Sequence, residues 1–207
     1  VKLGVNSLVS LPEDAFQGSS NLWSINISCS HLEFLSGAVF RDQAQVDQLD
    51  LSKNHICVLS SDAFAGLSGT ETLNLAKNSI GEATPPDDVF KDLVGLRTLQ
   101  LEENCFARLP DQIFAPLVQL QHLDLSCNEL SSLHAEHTRP LQALQSLNLS
   151  SNRFGELDPA ALAELGGLVQ LNLSQNLLTK MGAAAFAHLS ALQSLNLSSN
   201  HITLLSG

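Results

Sequence analysis

LQSLNLSSN at 144–152, LVQLNLSQN at 168–176 and LQSLNLSSN at 192–200 spell one phrase three times, 24 residues apart. Its form is LxxLxLxxN, with an apolar residue two positions after the Asn and another three positions later. Counting outward by the Asn, the unit recurs at Asn6, Asn54, Asn78, Asn104, Asn128, Asn152, Asn176 and Asn200, with Ser30 in the one gap. The step is 24 throughout, except for 26 between Asn78 and Asn104. Nine units, the first entered partway, fill all 207 residues. A fixed short period makes a one-dimensional stack of coils, each touching only its neighbours.

The chemistry of each position follows from its place in the coil. The second and third Leu of the phrase alternate with polar residues, the period-two pattern of a short strand with one buried and one solvated face. Parallel stacking of these strands predicts one long sheet. The Asn turns the chain out of the strand, and its buried amide can serve backbone groups that the ladder does not reach; Ser30 is shorter and is expected to do only part of this. A second file, Phe16, Phe40, Phe64, Phe90, Phe114, Thr138, Leu162 and Phe186, reads as a spine on the return arc. Gln43 stands where later units carry Leu67, Leu93, Leu117, Leu141, Leu165 and Leu189. GEATPPDDVF at 81–90 holds the two-residue insertion and adjacent prolines, so it is expected to leave the regular path. HAEHTRP at 134–140 is expected to be the loosest convex stretch of the C-terminal half. Ala-rich DPAALAEL and GAAAFAHL predict one or two helical turns each.

Composition narrows the function classes. Ten basic against 21 acidic residues give a net charge of −11, which opposes a phosphate-tracking surface, so no nucleic-acid partner is expected. Apolar residues make up 44% with a mean hydropathy of +0.11, spread at repeat spacing, and no run reaches a membrane span. The segment is therefore expected to be soluble, without membrane contact of its own. It opens on Val1 inside a strand motif, without a leader, which predicts a mature or excised fragment. Cys29 and Cys127 share a motif position four units apart, roughly 20 Å at ~4.8 Å per strand, beyond bridging reach. Cys57 and Cys105 are two units apart, so all four thiols are expected to be free and inside the solenoid. No phosphate-cradling glycine loop, no nucleophile with an orienting base and no metal cluster is visible, and His134 and His137 lack further ligands. The expectation is a non-enzyme without cofactor or metal.

LRTLQLEENCFARLPDQIF at 96–114 reads LxxLxLxxNxLxxLPxxxF and resembles the 24-residue class of leucine-rich repeats in animal extracellular recognition proteins, Toll-like receptor ectodomains above all. The resemblance runs the full length of the chain. It implies an α/β repeat solenoid, a horseshoe with a concave parallel β-sheet and irregular or short helical convex segments, over residues 1–207 as a single domain. It also implies a secreted or cell-surface receptor, binding a protein or microbial ligand across the concave or lateral face, with receptor dimerisation and an innate-immune role. Such ectodomains carry cysteine-clustered caps, and this sequence has none, which points to an excerpt of a longer receptor. Free thiols and absent caps also fit the alternative, a cytoplasmic leucine-rich-repeat scaffold.

Taken by units, the concave positions divide in two. The ligand-binding candidates are Asp47, Asp50, Lys53, Glu71, Lys77, Arg97, Gln100, Glu102, Glu103, His122 and Asp124, a mixed but acid-weighted stretch suited to steering a protein partner. Trp23, the single tryptophan, joins them as an exposed aromatic in a concave slot. The last three units present only neutral residues there. Four Asn-x-Ser sequons, at Asn26, Asn148, Asn172 and Asn196, occupy one slot between the strand leucines and are the glycosylation candidates. Glycans on strands ~4.8 Å apart would crowd, so one or two at most are expected to be carried.

Overall fold

A computed structural model describes residues 1–37 and 39–206. Each unit places the middle of its phrase in a three-residue strand: β1 (Ser24–Asn26), β3 (Gln48–Asp50), β5 (Thr72–Asn74), β6 (Thr98–Gln100), β7 (His122–Asp124), β8 (Ser146–Asn148), β9 (Gln170–Asn172) and β11 (Ser194–Asn196). These eight form one parallel sheet in chain order, and Lys2 extends it by a bridge to Asn26. The register never slips: Leu49, Leu73, Leu99, Leu123, Leu147, Leu171 and Leu195 stand side by side. On the descending side lie two small parallel pairs, β2 (Phe34–Leu35) with β4 (Val58–Leu59) and β10 (Lys180–Gly182) with β12 (Leu204–Ser206).

One continuous core lies behind the sheet. Both strand Leu positions are almost completely buried from Ile25 to Leu173. At the last strand the burial drops, and Leu195 is 38% exposed. The file on the return arc forms the opposite wall. Phe16 stacks on Phe40 with ring centroids 5.8 Å apart, and Phe64 tilts against Phe90 at 5.7 Å. Thr138 sits buried in the same file, its hydroxyl donating to the Ala135 carbonyl.

The asparagines bind coil to coil. Asn128 Nδ2 donates to the carbonyls of Leu125 and Ser126 in its own coil and of Leu101 in the preceding one, while its Oδ1 accepts from the amides of Asn104 and Phe106. Asn54, Asn78, Asn152 and Asn176 repeat this pattern, except that each Oδ1 accepts a single amide, 22 residues earlier. Ser30 does none of it: its buried hydroxyl has no partner among the described residues, because a hydroxymethyl group is too short to reach the neighbouring coil. The residue before each of these positions is left-handed, from Val5 through Ser199, with φ between 54° and 58°.

The expectations for HAEHTRP and the cysteines change, while the helical turns and Gln43 become specific. The helical turns at 159–161 and 183–186 are 3-10 turns, and a third spans Ile80–Ala83 at the start of the insertion. HAEHTRP is not loose: it forms α1 (Ala135–Thr138), with His137 and Thr138 both buried. The cysteines are free but not interior, since Cys29 and Cys57 are half-buried and Cys105 and Cys127 are exposed. Three of the four occupy left-handed turn positions, where the side chain leaves the coil. Gln43 is accommodated in its leucine slot by donating from Nε2 to the Phe16 carbonyl at 3.1 Å.

Candidate recognition face

The concave sheet face is uncovered by any other described element, and the candidate residues occupy three different lines across it. The backbone amides of Asp47, Glu71 and Arg97 donate to the carbonyls of Trp23, Asp47 and Glu71 in turn. Trp23, Asp47, Glu71 and Arg97 therefore form a leading margin, one residue ahead of each strand. Asp50, Gln100, His122 and Asp124 stand on the strands themselves. Lys53, Lys77 and Glu103 belong to the left-handed row on the trailing margin. Reading all of these as concave slots is thus corrected: only the second line, with Glu102 just beyond it, forms the floor. Trp23 lies on the leading margin, 68% exposed.

On both margins charge is paired between neighbouring coils. Arg97 Nε lies 3.3 Å from Glu71, and Lys77 Nζ lies 2.9 Å from Glu103. Hydrogen bonding to Glu103, and that residue's charge, raise the Lys77 pKa above its ordinary value. A further pair, Arg153 with Glu129 at 3.0 Å, was missed by reading unit by unit. Reading the sequence in columns of 24 places these two residues side by side. Such exposed pairs contribute roughly 0–1 kcal/mol each, and their effect is to fix side-chain positions.

The floor follows a different rule. The last residue of each strand is Asn26, Asp50, Asn74, Gln100, Asp124, Asn148, Asn172 or Asn196. In every case but Gln100, its Oδ1 accepts the amide two residues on. Asp124 also accepts from the Ser126 hydroxyl at 2.6 Å and from Asn148 Nδ2 at 2.9 Å. Asn26 Nδ2 is bound in the same way by Asp50. The slot thus favours Asn or Asp followed by Ser for local turn geometry.

Gln100 is one methylene too long for that turn, and Glu102 replaces the Ser or Ala of its neighbours. The Glu102 Oε2 is buried without a partner among the described residues. Burial, then the charges of Asp124 and Glu103, push the Glu102 pKa up from the usual carboxylate range. The structure therefore joins Glu102, Glu103 and Asp124 into one acidic spot on the coils of β6 and β7, and β5 separates it from Asp50 on β3. Trp23 is four strand spacings from His122, on the order of 20 Å. Among the described residues no group of three or more His, Cys, Asp or Glu is placed to hold a metal ion. No described helix is long and apolar enough to cross a membrane.

Known proteins place this architecture. The TLR13–ssRNA13 complex superposes with a TM-score of 0.90 at 29% identity, over 95% of this chain and 28% of that one. A Leptospira interrogans leucine-rich-repeat protein matches at 25% identity and a TM-score of 0.76, over 99% of this chain and 56% of that one. The glycosylated Drosophila Toll–Spatzle complex matches in fold at 24% identity and a TM-score of 0.73, over 95% of this chain and 31% of that one. The chain thus spans under a third of the two Toll-type chains and just over half of the bacterial one. No curated protein matches the sequence. The leucine rich repeat family model matches residues 1–56, 44–104, 85–130 and 142–202. With that match over most of its length, the chain belongs to the leucine-rich-repeat family and resembles Toll-like receptor ectodomains.

Proposed function

We propose that this chain is a non-enzymatic recognition segment of a secreted or cell-surface receptor of Toll-like type, and that it takes a protein or microbial ligand across its concave floor and margins. The observation that carries this reading is the uncovered eight-strand face, whose polar side chains are held by turns and by ion pairs between neighbouring coils before any ligand arrives. Prefixed side chains lose little entropy on binding. The innate-immune role rests on the likeness to the Toll-type proteins.

A second reading is RNA, because the TLR13 structure is a complex with ssRNA13. The expectation of no nucleic-acid partner draws no support from that relative. What favours a protein ligand is the floor itself: Asp50, Glu102 and Asp124 repel a phosphate backbone. Anisotropy with a labelled mixed-sequence single-stranded RNA distinguishes the two. We expect no saturable binding at about 0.15 M salt, and gain of binding when Asp50→Lys, Glu102→Lys and Asp124→Lys are combined. Saturable binding by the parent chain, unaffected by the reversal, would establish the RNA reading instead.

Secretion carries its own test. Asn26 and Asn148 have their Nδ2 engaged by Asp50 and Asp124, whereas Asn172 and Asn196 donate to nothing described. Glycans are expected on Asn172 or Asn196, and peptide mapping of material secreted from animal cells reads this directly. Unmodified peptides at all four sequons would remove the glycan assignment.

A further inference from the structure

The sixth unit contains a group that recognition does not use. His137 is 2% exposed, on the convex side, far from the sheet face. Its Nδ1 accepts the backbone amide of His134 at 3.0 Å, a cap on the first turn of α1. The ring hydrogen of the neutral side chain must then sit on Nε2, and Nε2 is buried without a well-formed hydrogen bond among the described residues, with only the Leu109 carbonyl drawing on the ring. A second proton can go only to Nδ1, the atom already occupied by an incoming N–H.

We propose that His137 is an acid-released latch: protonation of its ring breaks the cap on α1 and opens residues 131–139 of the convex wall. The imidazolium formed would set two N–H donors against each other at His134 and leave a charge in the core. The surrounding charges do not compensate it. On its own element stand His134, with ring centroids 5.6 Å apart, and Glu136. From the preceding unit come Asp111 and the Leu109 carbonyl. From the following unit, the 3-10 turn at 159–161 packs on α1 and brings Asp158, whose carboxylate is engaged at the Ala160 amide. Burial, then the neighbouring His134, hold the His137 pKa below the ordinary value, against the upward pull of Leu109, Asp111 and Glu136.

The direction in pH follows. A histidine depressed in the folded state is neutral there while the unfolded chain already binds its proton. Its stabilising contribution is complete above the ordinary midpoint of about 6.5 and is lost as pH falls from there toward the depressed folded value. Opening would widen the shallow depression of about 600 Å³ beside α1, lined by Ser131, Ser132, His134, Arg153 and Glu156. It would also bring Leu133 of the core to the surface.

Amide exchange on the whole chain tests this, with protection corrected for the intrinsic pH dependence of exchange. Between about pH 7.5 and pH 5, protection at 131–139 is expected to fall by roughly tenfold for each pH unit that separates the folded and unfolded midpoints. The strands should keep theirs. His137→Asn retains an acceptor near the Nδ1 position and removes the titration, so its protection should not change with pH. His134→Gln keeps the backbone amide of the cap but removes a neighbour that depresses His137, so it should still open in acid, with a smaller loss of protection than the parent. Loss of protection in His137→Asn equal to the parent's, or no loss in the parent, would overturn the latch. Should His137→Asn fail to fold, NMR titration of the His137 ring decides: a midpoint below 6.5 with concurrent shifts in α1 supports the latch, and one at or above it overturns it.

Discussion

The concave wall has two halves built on one backbone. Around β6 and β7 the floor carries Gln100, Glu102 and Asp124, with paired charges on both margins. Around β9 and β11 it carries Asn, Ser and Gln alone. Register, strand length and the left-handed turn are the same in both halves. What differs is whether the floor side chains satisfy themselves. Asn172 takes both the amide and the hydroxyl of Ser174, and the coil is closed. Gln100 and Glu102 leave that turn unmade and a carboxylate oxygen without a donor among the described residues. Function is expected where local structure leaves hydrogen-bonding capacity unspent, and the regular half serves as the frame.

The largest test breaks what the halves share. Asn128→Ala removes five hydrogen bonds, three of which tie the fifth and sixth coils, leaving buried amides and carbonyls unpaired. A loss of about 3 kcal/mol or more is expected in denaturant unfolding, and Asn176→Ala should cost a similar amount. Very different losses would mean that the frame is not uniform. Asp124→Ala comes next, because it undoes the turn at Ser126 and the bond to Asn148 at the boundary between the halves. We expect a loss of about 1–2 kcal/mol by the same measurement. A double-mutant cycle on Arg97 and Glu71 should return about 0.5 kcal/mol, vanishing near 1 M salt.

The smallest effect sharpens the contrast most. Glu102→Ser restores the residue that neighbouring coils use. The parent's Glu102 has a raised pKa, so its stability contribution is present below the ordinary carboxylate midpoint and declines as pH rises through the folded one. The Ser variant should therefore gain a few tenths of a kcal/mol near neutral pH and nothing in acid. Thermal melts at both pH values check the sign. An equal gain in acid would mean that packing, not charge, sets the cost.

The period made the sheet, the core and the coil-to-coil asparagines legible, because each is a repeated local rule that any one unit displays. Ser30, Gln43 and the insertion at 81–90 were legible as exceptions for the same reason. Lines across the units were not. Trp23, Asp47, Glu71 and Arg97 belong to a margin that appears only when the coils are set side by side. The Asn-x-Ser sequons also have a second meaning that spelling conceals: Asp50-Leu-Ser and Asp124-Leu-Ser make the same turn without being sequons. His137 escaped because a polar residue in a loop-like stretch gives no sign of burial. Its neighbours in space come from the preceding and following units.

The left-handed row has a practical consequence. A residue other than glycine in that conformation costs roughly 1–2 kcal/mol, and here Cys29, Lys53, Lys77, Glu103, Cys127, Ser151, Gln175 and Ser199 all adopt it. The path of the coil dictates the backbone, even at Cys29, where Ser30 replaces the following asparagine, and side chains of several kinds are accepted there. The row is therefore a ruler of attachment points at a pitch of about 4.8 Å, and Cys127 already presents an exposed thiol on it for a probe or a crosslinker.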